Sequence, residues 1–107
     1  MNACFVYITA ADAAQARSIG RILVEERLAA CANVQDRVTS IYRWEGAVRE
    51  DEEAVLVAKT VADRLPALID RVKTLHSYEC PCIVAWPLTD GNPDFLDWIA
   101  TESAAQP

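Results

Sequence analysis

Hydrophobic and polar positions along the chain fall into seven stretches with two different periods. Residues 3–9, "ACFVYIT", are short and almost wholly apolar. That pattern predicts a strand covered on both faces. From Asp12 the period changes: Ala16, Ile19, Gly20, Leu23 and Leu28 recur at helical spacing. Asp12 followed by Gln15 resembles a capping box, so a first helix is expected over 12–28. Gly20 inside that helix costs about 1 kcal/mol relative to Ala, which points to close packing against a neighbour. Residues 31–44 alternate, with Ala32, Val34, Val38, Tyr42 and Trp44 on one face and Asn33, Gln35, Arg37, Thr39 and Arg43 on the other. "WEGA" marks a turn, and "VREDEEAVLVAK" is the returning strand. A three-residue loop would set Val34 opposite Ala58, Val38 opposite Ala54 and Trp44 opposite Val48, apolar against apolar.

The helical period returns with Leu65, Leu68, Ile69, Val72 and Leu75. Proline is tolerated only in a first turn, so Pro66 sets the start of this second helix near Asp63. "CIVAW" predicts another short buried strand. Asn92 and Pro93 read as N-cap and first residue of a last helix carrying Phe95, Leu96, Trp98 and Ile99. The tail "SAAQP" is expected to fray. The order β-α-β-β-α-β plus a short helix predicts an α+β, ferredoxin-like sandwich. It has a four-stranded antiparallel sheet with helices on one face, as a single domain over residues 1–107.

The hairpin is too long for such a domain. Fourteen residues at ~3.3 Å each span about 46 Å, whereas a domain of this length has a diameter near 34 Å. Its tip must project or be folded back by a bulge. A projecting tip would expose Tyr42, Trp44 and Val48 together, a patch of the kind that marks an interface between subunits.

Charge narrows the choice of partner. Sixteen acidic residues outnumber ten basic ones in this 107-residue chain, for a net charge of −6. The basic residues are scattered, which argues against nucleic acid. No run approaches the ~18 apolar residues of a membrane span. The N-terminal run lacks the basic flank of a signal peptide, so the cytosol is the expected location and Cys4, Cys31, Cys80 and Cys82 are expected as thiols.

The densest candidate chemistry is "LHSYECPCIV", residues 75–84, with the only histidine, Glu79 and two cysteines. The Cys-x-Cys spacing is not that of structural zinc. On a flat strand these residues sit ~6.5 Å apart, whereas two sulfurs on one ion are at most ~4.6 Å apart. A copper site using His76 with Glu79 or a cysteine suits the ligand types; packing ahead of a buried strand is the plainer role for Cys80 and Cys82. A cysteine nucleophile would need a paired base and an oxyanion hole. One histidine, three glycines and no nucleophile elbow argue against an enzyme.

"EERLAACANV", "TSIYRWEGAV", "AVLVAKT", "LHSYECPCIVAWP" and "FLDWI" occur in an order and spacing that resembles the CutA family of divalent-cation tolerance proteins, over about residues 3 to 100. The resemblance implies a ferredoxin-like fold, homotrimers joined by long hairpins, and a response to copper or another divalent cation. Cys31 matches a position that is commonly cysteine in the family, which adds it to His76 and Glu79 as a candidate metal ligand. Some members carry two adjacent histidines at this loop and a cysteine near the end of the first strand. Here Leu75 and Ser77 flank His76, and Ile8 stands at the strand position. The family also resembles the trimeric PII signalling proteins in architecture. That likeness implies clefts between subunits, which Lys59, Tyr78 and Trp98 could line for a small effector. A scaffold for a partner protein is the third reading.

Overall fold

The computed structural model describes residues 2–105. Its order is β1 (Ala3–Ala10), α1 (Ala13–Glu25), β2 (Cys31–Trp44), β3 (Ala47–Val61), a 3₁₀ turn (Ala62–Arg64), α2 (Leu65–Leu75), β4 (Ile83–Pro87) and α3 (Pro93–Glu102). The four strands form one antiparallel sheet in the order β2-β3-β1-β4. This is the expected ferredoxin-like α+β sandwich. Its core lies between one sheet face and helices α1 and α2, where Val6, Ile8, Ile19, Leu23, Leu56, Leu68 and Val72 are buried.

Asp12 caps α1 by accepting the Gln15 amide at 2.8 Å, and Gln15 Oε1 in turn accepts from the Ala11 amide. The helix ends earlier than expected. Arg27 adopts φ +60°, and the Arg27 and Leu28 amides donate to the Val24 and Leu23 carbonyls. Those two bonds make a Schellman stop, so Leu28 packs from beyond the helix. Arginine stands where glycine is usual because its guanidinium is used: it donates to the Thr101 and Ala104 carbonyls at the end of α3. Ser103 is buried, with its hydroxyl on the Ile99 carbonyl. The tail is therefore anchored through Ala104 rather than frayed from Ser103, and residues 106–107 lie outside the described residues.

Gly20 meets the expectation of close packing. A Cβ there would stand 3.0 Å from Leu56 Cδ1 and 3.3 Å from Ala32 Cβ. Asn92 caps α3 through the Asp94 amide, with Pro93 in the first turn.

The hairpin corrects the expected register. Its loop is two residues, Glu45 and Gly46, with φ +49° and +81°, as a type I′ turn requires. Trp44 therefore pairs with Ala47, and Arg43 with Val48. A bulge between Gln35 and Val38, with Arg37 at φ +63°, inserts one extra residue in β2. Beyond it Val34 pairs with Leu56 and Ala32 with Ala58. The bulge reverses the alternation. Ala32 and Val34 share the helix-covered face, whereas Tyr42 and Trp44 lie on the open face. Val48 is on the opposite side, diagonal to Ile41. The expected patch of Tyr42, Trp44 and Val48 is thus split between two faces, and both are exposed.

The tip is not folded back. The molecule measures 44 × 28 × 22 Å, and its long dimension matches the ~46 Å of a 14-residue strand. β4 also differs from expectation. It is an edge strand, and Val84 and Trp86 are exposed instead of buried.

Candidate functional site

Residues 76–82 connect α2 to β4 and pack against the base of the hairpin arm. Three side chains fix this loop. His76 Nε2 lies 2.7 Å from the Thr9 carbonyl, and the Tyr78 amide donates to His76 Nδ1 at 3.1 Å. A carbonyl accepts and an amide donates, so the ring carries its proton on Nε2 and its Nδ1 lone pair is engaged. Gln15 Nε2 donates to Ser77 Oγ at 2.8 Å, tying the loop to the start of α1. The Tyr78 hydroxyl donates to Glu53 Oε2 at 2.6 Å, tying it to β3. Burial, followed by this bond and the charge of Glu53, raises the Tyr78 phenol well above its usual range.

Between loop and arm lies an open cavity of about 600 Å³. Thr9, Ser40, Tyr42, Trp44 and Glu53 form its sheet side; Ser77, Tyr78, Glu79, Cys80 and Cys82 form its loop side. The Tyr42 hydroxyl donates to Asp51, and that bond raises its phenol as well. All four cysteines are free thiols; Cys80 and Cys82 are exposed and precede β4, so they do not feed a buried strand as expected.

The structure brings together only part of the expected site. Glu79 and Tyr78 share the cavity with Tyr42 and Trp44. An ion on His76 would have to displace the Thr9 carbonyl or the Tyr78 amide. Cys31 lies elsewhere, at the start of β2 opposite Lys59, and burial raises its thiol despite that ammonium. Lys59 donates to Asn33 Oδ1. Trp98 stacks on Phe95 on α3, with ring centroids 5.4 Å apart. Neither Lys59 nor Trp98 lines the cavity of the single chain. Among the described residues, no group of three or more His, Cys, Asp or Glu side chains is gathered around a common point for a metal. Glu53, Ser40 and Thr9 join the site unannounced. Glu53 faces the open side by plain alternation with buried Ala54 and Leu56 on β3, whereas Ser40 does so only because of the bulge in β2.

The βαββαβ sandwich with an extended hairpin and a thiol- and carboxylate-lined cavity at the arm's base defines a class of small α+β proteins. Among the described residues no helix is long and apolar enough to cross a membrane. Within that class the sequence is specific: the family model described as CutA1 divalent ion tolerance protein matches residues 4–102, and the chain belongs to this family. A divalent-cation tolerance protein CutA of Thermus thermophilus is 51% identical over 94 residues, covering 88% of this chain and 91% of that protein. A solved structure of the Thermus thermophilus divalent cation tolerance protein superposes with a TM-score of 0.93 at 47% identity, covering 95% of this chain and 99% of that one. A solved Archaeoglobus fulgidus structure, described as a periplasmic divalent cation tolerance protein CutA, gives a TM-score of 0.92 at 37% identity over 95% of this chain and 99% of that one. Protein CutA of Mus musculus is 40% identical over 101 residues, 92% of this chain but only 57% of that longer protein.

Proposed function

We propose that the chain acts in the cytosol as a non-catalytic homotrimer that responds to divalent cations, with the ion entering the cavity between the hairpin arm and loop 76–82. The observation that carries this reading is the composition of that cavity: the carboxylates of Glu53 and Glu79 stand on facing walls, beside hydroxyl and thiol donors. His76 serves this site by holding the loop through both ring nitrogens, and Glu79 supplies the free carboxylate. One subunit gathers too few donors for a divalent ion: zinc takes four ligands, and among the described residues no three His, Cys, Asp or Glu side chains converge. A second subunit at the exposed arm would complete the set. The family name and its divalent-cation tolerance relatives support this direction.

Calorimetric titration of the reduced protein with Cu²⁺ and Zn²⁺, on wild type and Glu79→Gln, tests it. Saturable binding weakened about tenfold or more in the variant is the expected result. Divalent binding that ignores Glu79 would remove the ion from this cavity.

The aromatic walls support a second reading. Tyr42, Trp44 and Tyr78 surround a volume within the usual range for small ligands. With carboxylates and no Lys59 on its walls, it suits a neutral or cationic effector rather than an anionic one. Such a ligand would raise the unfolding temperature in proportion to RT ln(1 + [L]/Kd), without any metal present.

A further inference from the structure

The cavity between arm and loop carries more aromatic surface than an inorganic ion can use. Tyr42 and Trp44 stand two residues apart on the open face of β2, and Tyr78 lines the cavity from the loop side. Strand side chains project roughly perpendicular to their sheet, so the two β2 rings belong to one wall and Tyr78 to the other. The three residues remain 39%, 40% and 36% exposed, so their own core leaves much of each ring uncovered.

The two phenols are held in place by carboxylates. Tyr42 donates to Asp51 and Tyr78 to Glu53, and the His76 ring packs against Tyr78 with centroids 4.6 Å apart. Burial, then Glu53, Tyr42 and Asp51, raise the Tyr78 phenol, so these groups lie close enough to act on one another. A phenol that donates to a carboxylate is polarised by it, which enriches the negative ring face that attracts a cation.

Charge and hydrogen bonding narrow the ligand. Glu53 and Glu79 are the charged side chains of the lining, and they give it negative potential. Arg49 pairs with Tyr42 across the strands but does not line the cavity. Directed acceptors are scarce. Glu53 Oε2 accepts from Tyr78, Ser77 Oγ accepts from Gln15, and both His76 nitrogens are engaged. A primary ammonium is strongly hydrated and needs three acceptors in place of its water. A methylated ammonium donates few or no hydrogen bonds and is recognised by ring faces instead. Cys80 and Cys82, both exposed on the loop wall, add polarizable sulfur against which methyl groups can pack.

We infer that this cavity binds an organic cation of the methylated-ammonium class, its charge held by the rings of Tyr42, Trp44 and Tyr78 and by the carboxylates of Glu53 and Glu79. The inference deepens the second reading above and rests on it: the small effector is a cation, and its methyl groups are part of what is recognised.

The test is calorimetry on the full chain, reduced and with EDTA present, against three related solutes. Choline is the probe. Ethanolamine keeps the charge without the methyl groups, and 3,3-dimethylbutan-1-ol keeps the shape without the charge. Saturable choline binding is expected, at least tenfold tighter than either of the others. Trp44→Leu retains an apolar side chain but removes the ring, and should weaken choline about tenfold. The wild-type comparison does not depend on how that variant folds. Equal binding of the uncharged alcohol overturns this inference and leaves a neutral effector standing. Equal binding of ethanolamine also overturns it, because charge alone would then suffice. Choline binding indifferent to Trp44→Leu in a folded variant places the ligand outside this cavity and has the same result. Binding of none of the three sinks it as well. Cu²⁺ or Zn²⁺ binding that depends on Glu79, with choline inert, sinks this inference and leaves the divalent reading intact.

Discussion

Tyr78 keeps its proton because the fold hides the phenol and aims it at a carboxylate. Burial comes first, then the 2.6 Å bond to Glu53 and that residue's charge; each disfavours the phenolate and moves the ionisation upward. The sign for stability follows. An unfolded tyrosine loses its proton near pH 10, while the folded one retains it to higher pH. Between those limits the folded state binds more protons, so stability is complete below about pH 10 and falls as pH rises beyond it. Tyr78→Phe should make that alkaline decline shallower, and denaturant unfolding of both proteins between pH 8 and 11 measures it. Equal slopes would mean that Tyr78 ionises as freely in the folded chain as in the unfolded one. At this scale the crowding of imidazole, carboxylate and thiols over residues 76–82 was legible in the sequence, and the structure sets Tyr78, Glu79, Cys80 and Cys82 on one cavity wall. It could not show that His76 spends both nitrogens on Thr9 and Tyr78. The first partner is 67 residues away, and no local pattern carries such a contact.

Among the elements, Gly20 makes the sharpest case. In an exposed helix interior Gly→Ala would stabilise by about 1 kcal/mol. Here the new methyl would stand 3.0 Å from Leu56 Cδ1 and 3.3 Å from Ala32 Cβ. Leu56 is fully buried, and Ala32 has no torsion with which to withdraw. Overpacking costs of roughly 1–3 kcal/mol offset or exceed the propensity gain, so Gly20→Ala should destabilise by up to about 2 kcal/mol in chemical denaturation at fixed protein concentration. A stabilised variant would show that α1 can lift from the sheet at no cost. Element identities were legible because caps, prolines and periods are local signals: Asp12, Pro66 and Asn92 each stand where the expected helix begins. Register was not. A bulge at Asp36–Arg37 has no signature in an alternating run, yet it turns Tyr42 and Trp44 to the open face. The edge position of β4 was equally hidden, because an apolar strand reads alike whether its own sheet or a second subunit covers it.

The whole molecule is longer than its chain length warrants. Its radius of gyration is 14.3 Å, against about 13 Å for a compact domain of this size, and the excess is the hairpin arm. That arm is apolar on both sides, with Tyr42 and Trp44 on one and Ile41 and Val48 on the other. Ile41 and Val48 are 67% and 65% exposed and lie diagonal to each other on one side of the arm, an adjoining apolar pair of the kind that marks an interface. Edge strand β4 adds Val84 and Trp86 to the uncovered surface. Its outer hydrogen-bonding groups are open to another strand. An arm in search of a sheet edge and an edge in search of a strand, on one chain, call for a head-to-tail ring of copies. Such heterologous contacts close when the rotation allows, and three copies is the closure proposed above. Light scattering of the wild type at micromolar concentration should therefore give three times the 11.8 kDa chain mass. Ile41→Glu with Val48→Glu places two carboxylates in the contact and should yield a folded species of single-chain mass, its far-ultraviolet dichroism unchanged. A wild-type mass of one chain would overturn the ring. A trimer that survives both glutamates would place the contact on the opposite side of the arm, where Trp44→Glu should then break it.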